Sequence, residues 1–88
     1  MTFRVMDEAA NLAGRGLVLF VGEGDPAAFA DGCRIRDVRG NEYAVARAFT
    51  QDGLTCLLLE GADFAYFERL FNDVRVDATR FELLEAQP

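Results

Sequence analysis

The residues of this chain that could take part in chemistry are carboxylates, two tyrosines, four threonines and two cysteines. The chain contains no histidine, lysine, serine or tryptophan. The lack of histidine excludes an imidazole base and the commonest zinc ligand. The lack of serine and lysine excludes hydroxyl triads, Schiff bases and the phosphate-binding lysine of nucleotide loops. Because no spacing pairs the remaining groups as acid and base, we predict no enzymatic activity, no cofactor and no metal.

Positive charge is concentrated in Arg34, Arg36 and Arg39, and Arg47 is expected to join them across a hairpin. Such a cluster could bind a phosphate backbone or a carboxylate-rich partner, because guanidinium groups form paired hydrogen bonds with both. Alternating arginines on the outer face of a strand are also typical of solvated charges, which here would balance Asp37 and Glu42. The sequence leaves both interpretations open.

A second candidate binding segment is aromatic and contains Phe64, Tyr66, Phe67 and Phe71. The helical spacing of its phenylalanines allows them to plug one end of a small β domain. A cluster this dense could instead cover a partner protein or a second copy of the chain, because a sizeable exposed apolar patch usually marks an interface.

Overall charge and composition restrict the partners. The net charge is −6, which disfavours nucleic acid unless the arginines gather on one face. No stretch approaches the ~18 apolar residues of a membrane helix, and the start lacks a signal-peptide profile. We therefore predict a cytoplasmic protein with no membrane partner, in which Cys33 and Cys56 are buried thiols rather than a disulfide.

Short apolar runs between turn signals predict a single, mostly β domain over residues 1–88. Gly40-Asn41 and Asp52-Gly53 are the expected hairpin turns. Asp63 is the expected cap of one short helical segment within 62–71, which is expected to end at a left-handed Asn72. The expected strands are 3–6, 17–21, 33–38, 43–49, 54–59, 74–77 and 80–85, with 7–13 an irregular crossing. The apolar run 17–21 is expected to be covered on both sides, and Tyr43, Val45 and Phe49 are expected to share one face of their strand. Asp7 and Glu8 are expected to be surface charge.

The order of these elements resembles the β-barrel second domain of translational GTPases of the elongation factor Tu type. The resemblance covers nearly the whole chain and rests on Gly14-Arg15-Gly16 before an apolar strand, on Glu23-Gly24 after it, and on a late strand that ends at Gly61 before a short helical turn. It implies a small closed barrel of six to seven strands with Greek-key-like connections.

The resemblance also implies partners, because in that family the barrel packs on a GTPase domain and helps contact transfer RNA or the ribosome. This chain departs from the pattern in having Ala10 where an aromatic residue is usual and in carrying no nucleotide loop. The glycine-rich stretch 22–27 imitates a dinucleotide-binding turn, but too few residues follow it for the required helix. We therefore expect no nucleotide.

Together these observations predict an all-β, non-catalytic binding module. A protein partner or self-association is the first expectation, and RNA or the ribosome is the alternative. The candidate binding residues are Arg15, Arg34, Arg36, Arg47, Phe64, Tyr66 and Phe67.

Overall fold

A computed structural model describes residues 2–12, 16–21, 29 and 32–84 of the chain. The candidate binding residue Arg15 and the glycine-rich stretch 22–27 lie outside the described residues.

Within these residues, six strands form a closed antiparallel barrel with one helix, which confirms the predicted small all-β barrel. The barrel order is β1-β2-β5-β4-β3-β6, and β6 returns to pair with β1. Strands β3, β4 and β5 follow one another in the chain and pair in that order, and the last of them, β5, lies beside β2. This is a Greek-key arrangement. The elements are β1 (Thr2–Leu12), β2 (Gly16–Val21), β3 (Arg34–Arg36), β4 (Glu42–Gln51), β5 (Leu54–Leu59), α1 (Phe64–Phe71) and β6 (Arg80–Leu84).

The barrel interior is filled by alternate side chains of its strands, as in β2, where Leu17, Leu19 and Val21 belong to the buried core. Phe67 and Leu70 of α1 are fully buried, so the helix packs onto the same core. Cys33 and Cys56 are both buried, as expected. The largest fully buried strand residues are Leu17, Leu19, Val21, Ile35, Val45, Leu57, Leu59 and Phe81.

The first strand is longer than predicted. Residues 7–13 were expected to cross irregularly, but β1 continues to Leu12 and pairs with β2 on both sides of a bulge. The bulge absorbs the polar residues that made the sequence look irregular, so pairing resumes at Ala9.

A second bulge changes the face on which the end of β4 lies. Pairing with β5 shifts between Val45 and Arg47, which leaves Ala46 as the extra residue. Ala48 therefore packs against the core, and Phe49 lies with Arg47 on the outer surface. The expectation that Phe49 would share a face with Val45 was wrong, because one extra residue reverses every later side chain.

Three other expectations about the elements were wrong, at least in part. Residues 74–77 form turns rather than a strand, and Val74 is 96% exposed. The strand expected at 33–38 is restricted to Arg34–Arg36, because Asp37 turns away to organise the following loop. Asn72 ends α1 as expected, but in a right-handed rather than a left-handed conformation.

Gly16→Ala is expected to destabilise the barrel by about 3 kcal/mol, because the residue has a positive φ of 115° and an added Cβ would lie 2.4 Å from the carbonyl oxygen of Leu59. Gly53→Ala is the matched control, since Gly53 also has a positive φ but an open site, and should cost about 1 kcal/mol. Urea denaturation measures both. Equal losses would show that the contact with Leu59 adds nothing.

Candidate functional site

The bulge in β1 opens a gap beside the barrel wall. Residues 6–8 lie opposite a single residue of β2, Phe20, because pairing resumes only at Ala9. Asp7 and Glu8 are consequently displaced from the regular ladder and are exposed. Bulges of this kind commonly redirect side chains next to binding sites.

Helix α1 forms the opposite wall of this gap. Asp63 caps it by accepting a hydrogen bond of 3.0 Å from the backbone N–H of Ala65, as the sequence predicted. The helical period directs Phe67 into the core. It leaves Phe64, Glu68 and Phe71 along one flank.

Between the bulge and this flank of α1 lies a cavity of about 520 Å³, which we call the β1–α1 cleft. This volume is in the usual range for ligand pockets. Its apolar lining is Ala9, Ala10, Phe20, Phe64 and Phe71, and its polar lining is Asp7, Glu8, Glu68 and Asn72.

The charge of the cleft is negative and unbalanced. Asp7, Glu8 and Glu68 are exposed, and none of the ion pairs formed among the described residues includes them. The lining contains no arginine. The cleft therefore offers three carboxylates around an apolar surface.

The predicted arginine cluster has its charges paired instead. Arg34 contacts Glu42 at 3.2 Å, and Arg36 contacts Glu82 at 2.6 Å. The hydrogen bond from Arg36 lowers the pKa of Glu82, which holds that carboxyl as the anion. Arg39 forms an ion pair with Asp73.

Arg47 differs from this group because none of the ion pairs among the described residues includes it. Arg34 lies opposite Ala44, and Arg47 follows beyond the bulge in β4. Its guanidinium carbon is 5.9 Å from the centroid of the Phe49 ring, a distance compatible with a cation–π contact. None of Arg34, Arg36 and Arg47 lines the β1–α1 cleft.

The predicted aromatic segment is divided between three environments. Phe67 is fully buried, with ring centroids 5.1 Å from Tyr43 and 6.4 Å from Phe81. Phe64 is half-buried and lines the cleft. Tyr66 points the other way and lines a separate depression of about 350 Å³.

Tyr66 takes part in a network around Asp37, which is buried. The backbone N–H groups of Arg39 and Asn41 each donate to Oδ1 of Asp37 at 2.9 Å. Tyr66 donates its hydroxyl to Oδ2 at 2.7 Å, and Tyr43 donates to the same oxygen at 2.9 Å. The carboxylate thus joins the β3–β4 turn to the helix and to β4.

The pKa shifts of the two tyrosines are consistent with their role as hydrogen-bond donors to Asp37. Burial, and then the hydrogen bond to Asp37, raise the pKa of Tyr43 and of Tyr66. Both phenols therefore keep their protons at neutral pH and remain donors to the carboxylate. The sequence had suggested that Asp37 balances nearby arginines on the surface, but it is a buried structural acceptor.

Sequence reasoning missed most of the residues that line the cleft, including its three carboxylates and Phe20. Asp7 and Glu8 had been interpreted as surface charge, and Phe20 as part of a fully covered strand. The spacing of Glu68 from Phe64 and Phe71 could have placed it on their face of the helix, but nothing local predicted the bulge opposite.

The part of the chain that the structure describes holds no group of three or more potential metal ligands, and none of its helices is long and apolar enough to cross a membrane. Comparison with protein-family models, curated proteins and solved structures found no match to this chain.

Proposed function

We propose that this chain is a non-catalytic binding module that recognises a protein partner through the β1–α1 cleft. The observation that carries the proposal is a cleft of about 520 Å³ that combines an apolar lining with unpaired carboxylates. Concave apolar surfaces with a few polar groups are the usual form of binding sites.

The charges support a protein over RNA. The net charge is −6, and the carboxylates of the cleft would repel a phosphate backbone. The ion pairs of Arg34 with Glu42 and of Arg36 with Glu82 partly neutralise these two arginines, which weakens their attraction for phosphate. An RNA- or ribosome-associated role, as the resemblance to the elongation factor Tu type barrel implies, is the alternative; it would use Arg34, Arg36 and Arg47 together with Arg15.

The test compares two outer phenylalanines that flank Cys56 on neighbouring strands. Phe20 and Phe49 both pair with Cys56 and both are half-buried, but Phe20 lines the cleft and Phe49 does not. Affinity-tagged wild type, Phe20→Ala and Phe49→Ala are used to capture partners from the native cell lysate. Each capture is repeated at ~0.5 M salt and after RNase treatment.

We expect wild type and Phe49→Ala to retain the same protein through salt and nuclease, and Phe20→Ala to lose at least about 90% of it. That loss corresponds to roughly 1.4 kcal/mol or more of binding free energy. Retention by all three would contradict the proposed site. Capture of ribosomal material that disappears with salt and RNase, and with Arg34→Ala or Arg36→Ala, would favour the alternative.

A further inference from the structure

We infer that the β1–α1 cleft binds a positively charged side chain, preferably arginine, within a peptide segment whose neighbouring residue is apolar. The inference rests on the proposed function and specifies the chemistry of the partner. It is carried by charge complementarity together with the aromatic lining of the same cavity.

The carboxylates are distributed on both walls of the cleft. Asp7 and Glu8 come from the bulge of β1, and Glu68 comes from α1. Four carboxylates elsewhere in the described chain are instead paired with arginines, namely Glu42, Asp73, Asp77 and Glu82. A cation that enters the cleft therefore meets negative groups from two directions without displacing a cation already bound there.

The apolar lining favours arginine within this class. Phe20, Phe64 and Phe71 bring three aromatic side chains to the cavity. A guanidinium group is planar, stacks on aromatic faces and forms paired hydrogen bonds with carboxylates, whereas an ammonium group is compact and strongly hydrated. The aliphatic stem of arginine can also cover apolar surface while its charged end remains near the rim.

The size of the cleft is the reason why we infer an apolar residue next to the arginine of the peptide. The cleft, at about 520 Å³, is larger than a single side chain. One arginine side chain fills only part of this volume. A second, apolar side chain would cover the remaining aromatic surface.

The experiment is an NMR titration of the full chain, labelled with ¹⁵N, with two synthetic peptides. The first is acetyl-Ala-Leu-Arg-Leu-Ala-amide, and the second carries citrulline, the neutral isostere of arginine, in the same place. Binding is followed at the backbone N–H groups of Glu8, Phe20 and Glu68. We expect the arginine peptide to shift these signals and to bind about tenfold more tightly than the citrulline peptide.

Charge-neutral variants test which carboxylates are responsible. Glu68→Gln should weaken binding of the arginine peptide about threefold, and the combined variant D7N/E8Q/E68Q should abolish the preference over citrulline. Glu60→Gln is the control because it removes one exposed carboxylate that does not line the cleft, and it should leave both affinities unchanged. Raising the salt from ~50 to ~300 mM should reduce the preference in wild type and in Glu60→Gln, but not in the combined variant, which has no preference to lose.

Three results would overturn the inference: equal binding of the two peptides, an arginine preference that survives in the combined variant, or no shift at the cleft with the arginine peptide. Equal binding of both peptides at the cleft would leave the proposed function intact. Failure of the proposed function would be seen in a different experiment, the lysate capture, if Phe20→Ala retained every protein that wild type captures. Shifts produced at Arg34, Arg36 and Arg47 by a short single-stranded oligonucleotide, with none at the cleft from the peptides, would assign RNA instead.

Discussion

Asp37→Ala is expected to lower the free energy of unfolding by about 3–4 kcal/mol, because it leaves several donors without an acceptor. Two backbone N–H groups and two phenol hydroxyls converge on this one carboxylate. A domain of this size has only about 5–10 kcal/mol of stability in total. The substitution should therefore unfold a detectable fraction of the protein at moderate temperature.

The loss should be graded across milder variants. Asp37→Asn keeps an acceptor for the backbone groups of the turn and should cost about 1–2 kcal/mol. Tyr66→Phe removes one donor and should cost about 1 kcal/mol, without orphaning the carboxylate. Urea denaturation followed by circular dichroism measures all three. If Asp37→Ala cost no more than Tyr66→Phe, the network would not be what joins the turn to the helix.

Structural features that depend only on residues adjacent in the sequence were predictable. Asp52-Gly53 forms the expected tight turn, and both residues have positive φ, at 53° and 80°. Asp63 caps α1 in the expected way. In β3, Ile35 is buried while Arg34 is exposed, as their alternation predicted. Each of these depends on local dihedral or side-chain preferences, which a sequence displays directly.

Features that depend on strand pairing were not predictable. Whether residues 6–8 continue a strand depends on how β2 aligns with it, and the bulge at Ala46 depends on the register with β5. The same alternating pattern fits a strand with or without an extra residue. As a result the sequence placed Phe49 on the same face as Val45 and gave no indication of the gap beside Phe20.

The residues of the candidate site divide in the same way, into those that local sequence predicts and those that depend on strand pairing. Phe64 was predicted as a binding residue and lines the cleft, because its position follows from the helical period. Glu8 and Phe20 were missed because only the bulge in β1 brings them to that helix. Asp37 was assigned to the surface because a single carboxylate between arginines carries no signal of burial; its donors include Tyr66, which is 29 residues away.

Phe67→Ala is expected to cost about 4 kcal/mol, the largest effect of any aromatic substitution in α1. Its side chain is fully buried, and its ring approaches those of Tyr43 and Phe81. Removal leaves a cavity that the rigid barrel wall can fill only in part. Because Phe67 and Leu70 are the fully buried residues of α1, the helix should lose much of its attachment.

Phe64→Ala is the matched control, since it removes the same ring from the same helix at a half-buried position. It should cost about 1–2 kcal/mol, a fraction of the full value for burying a phenylalanine side chain. Denaturation in urea gives the stabilities, and hydrogen exchange of the backbone N–H groups of α1 reports whether the helix has loosened. Similar stability of the two variants would contradict a core role for Phe67.

The two variants also separate packing from binding. If Phe67 only holds α1 against the barrel, Phe67→Ala should weaken binding of the arginine peptide only as far as the helix loosens. The loss of affinity should then follow the loss of hydrogen-exchange protection at the backbone N–H groups of α1. Phe64→Ala should lose binding while the helix stays protected, because Phe64 lines the cleft directly. Within one short segment, the helical period thus assigns Phe67 to the barrel core and Phe64 to the surface that we propose for the partner.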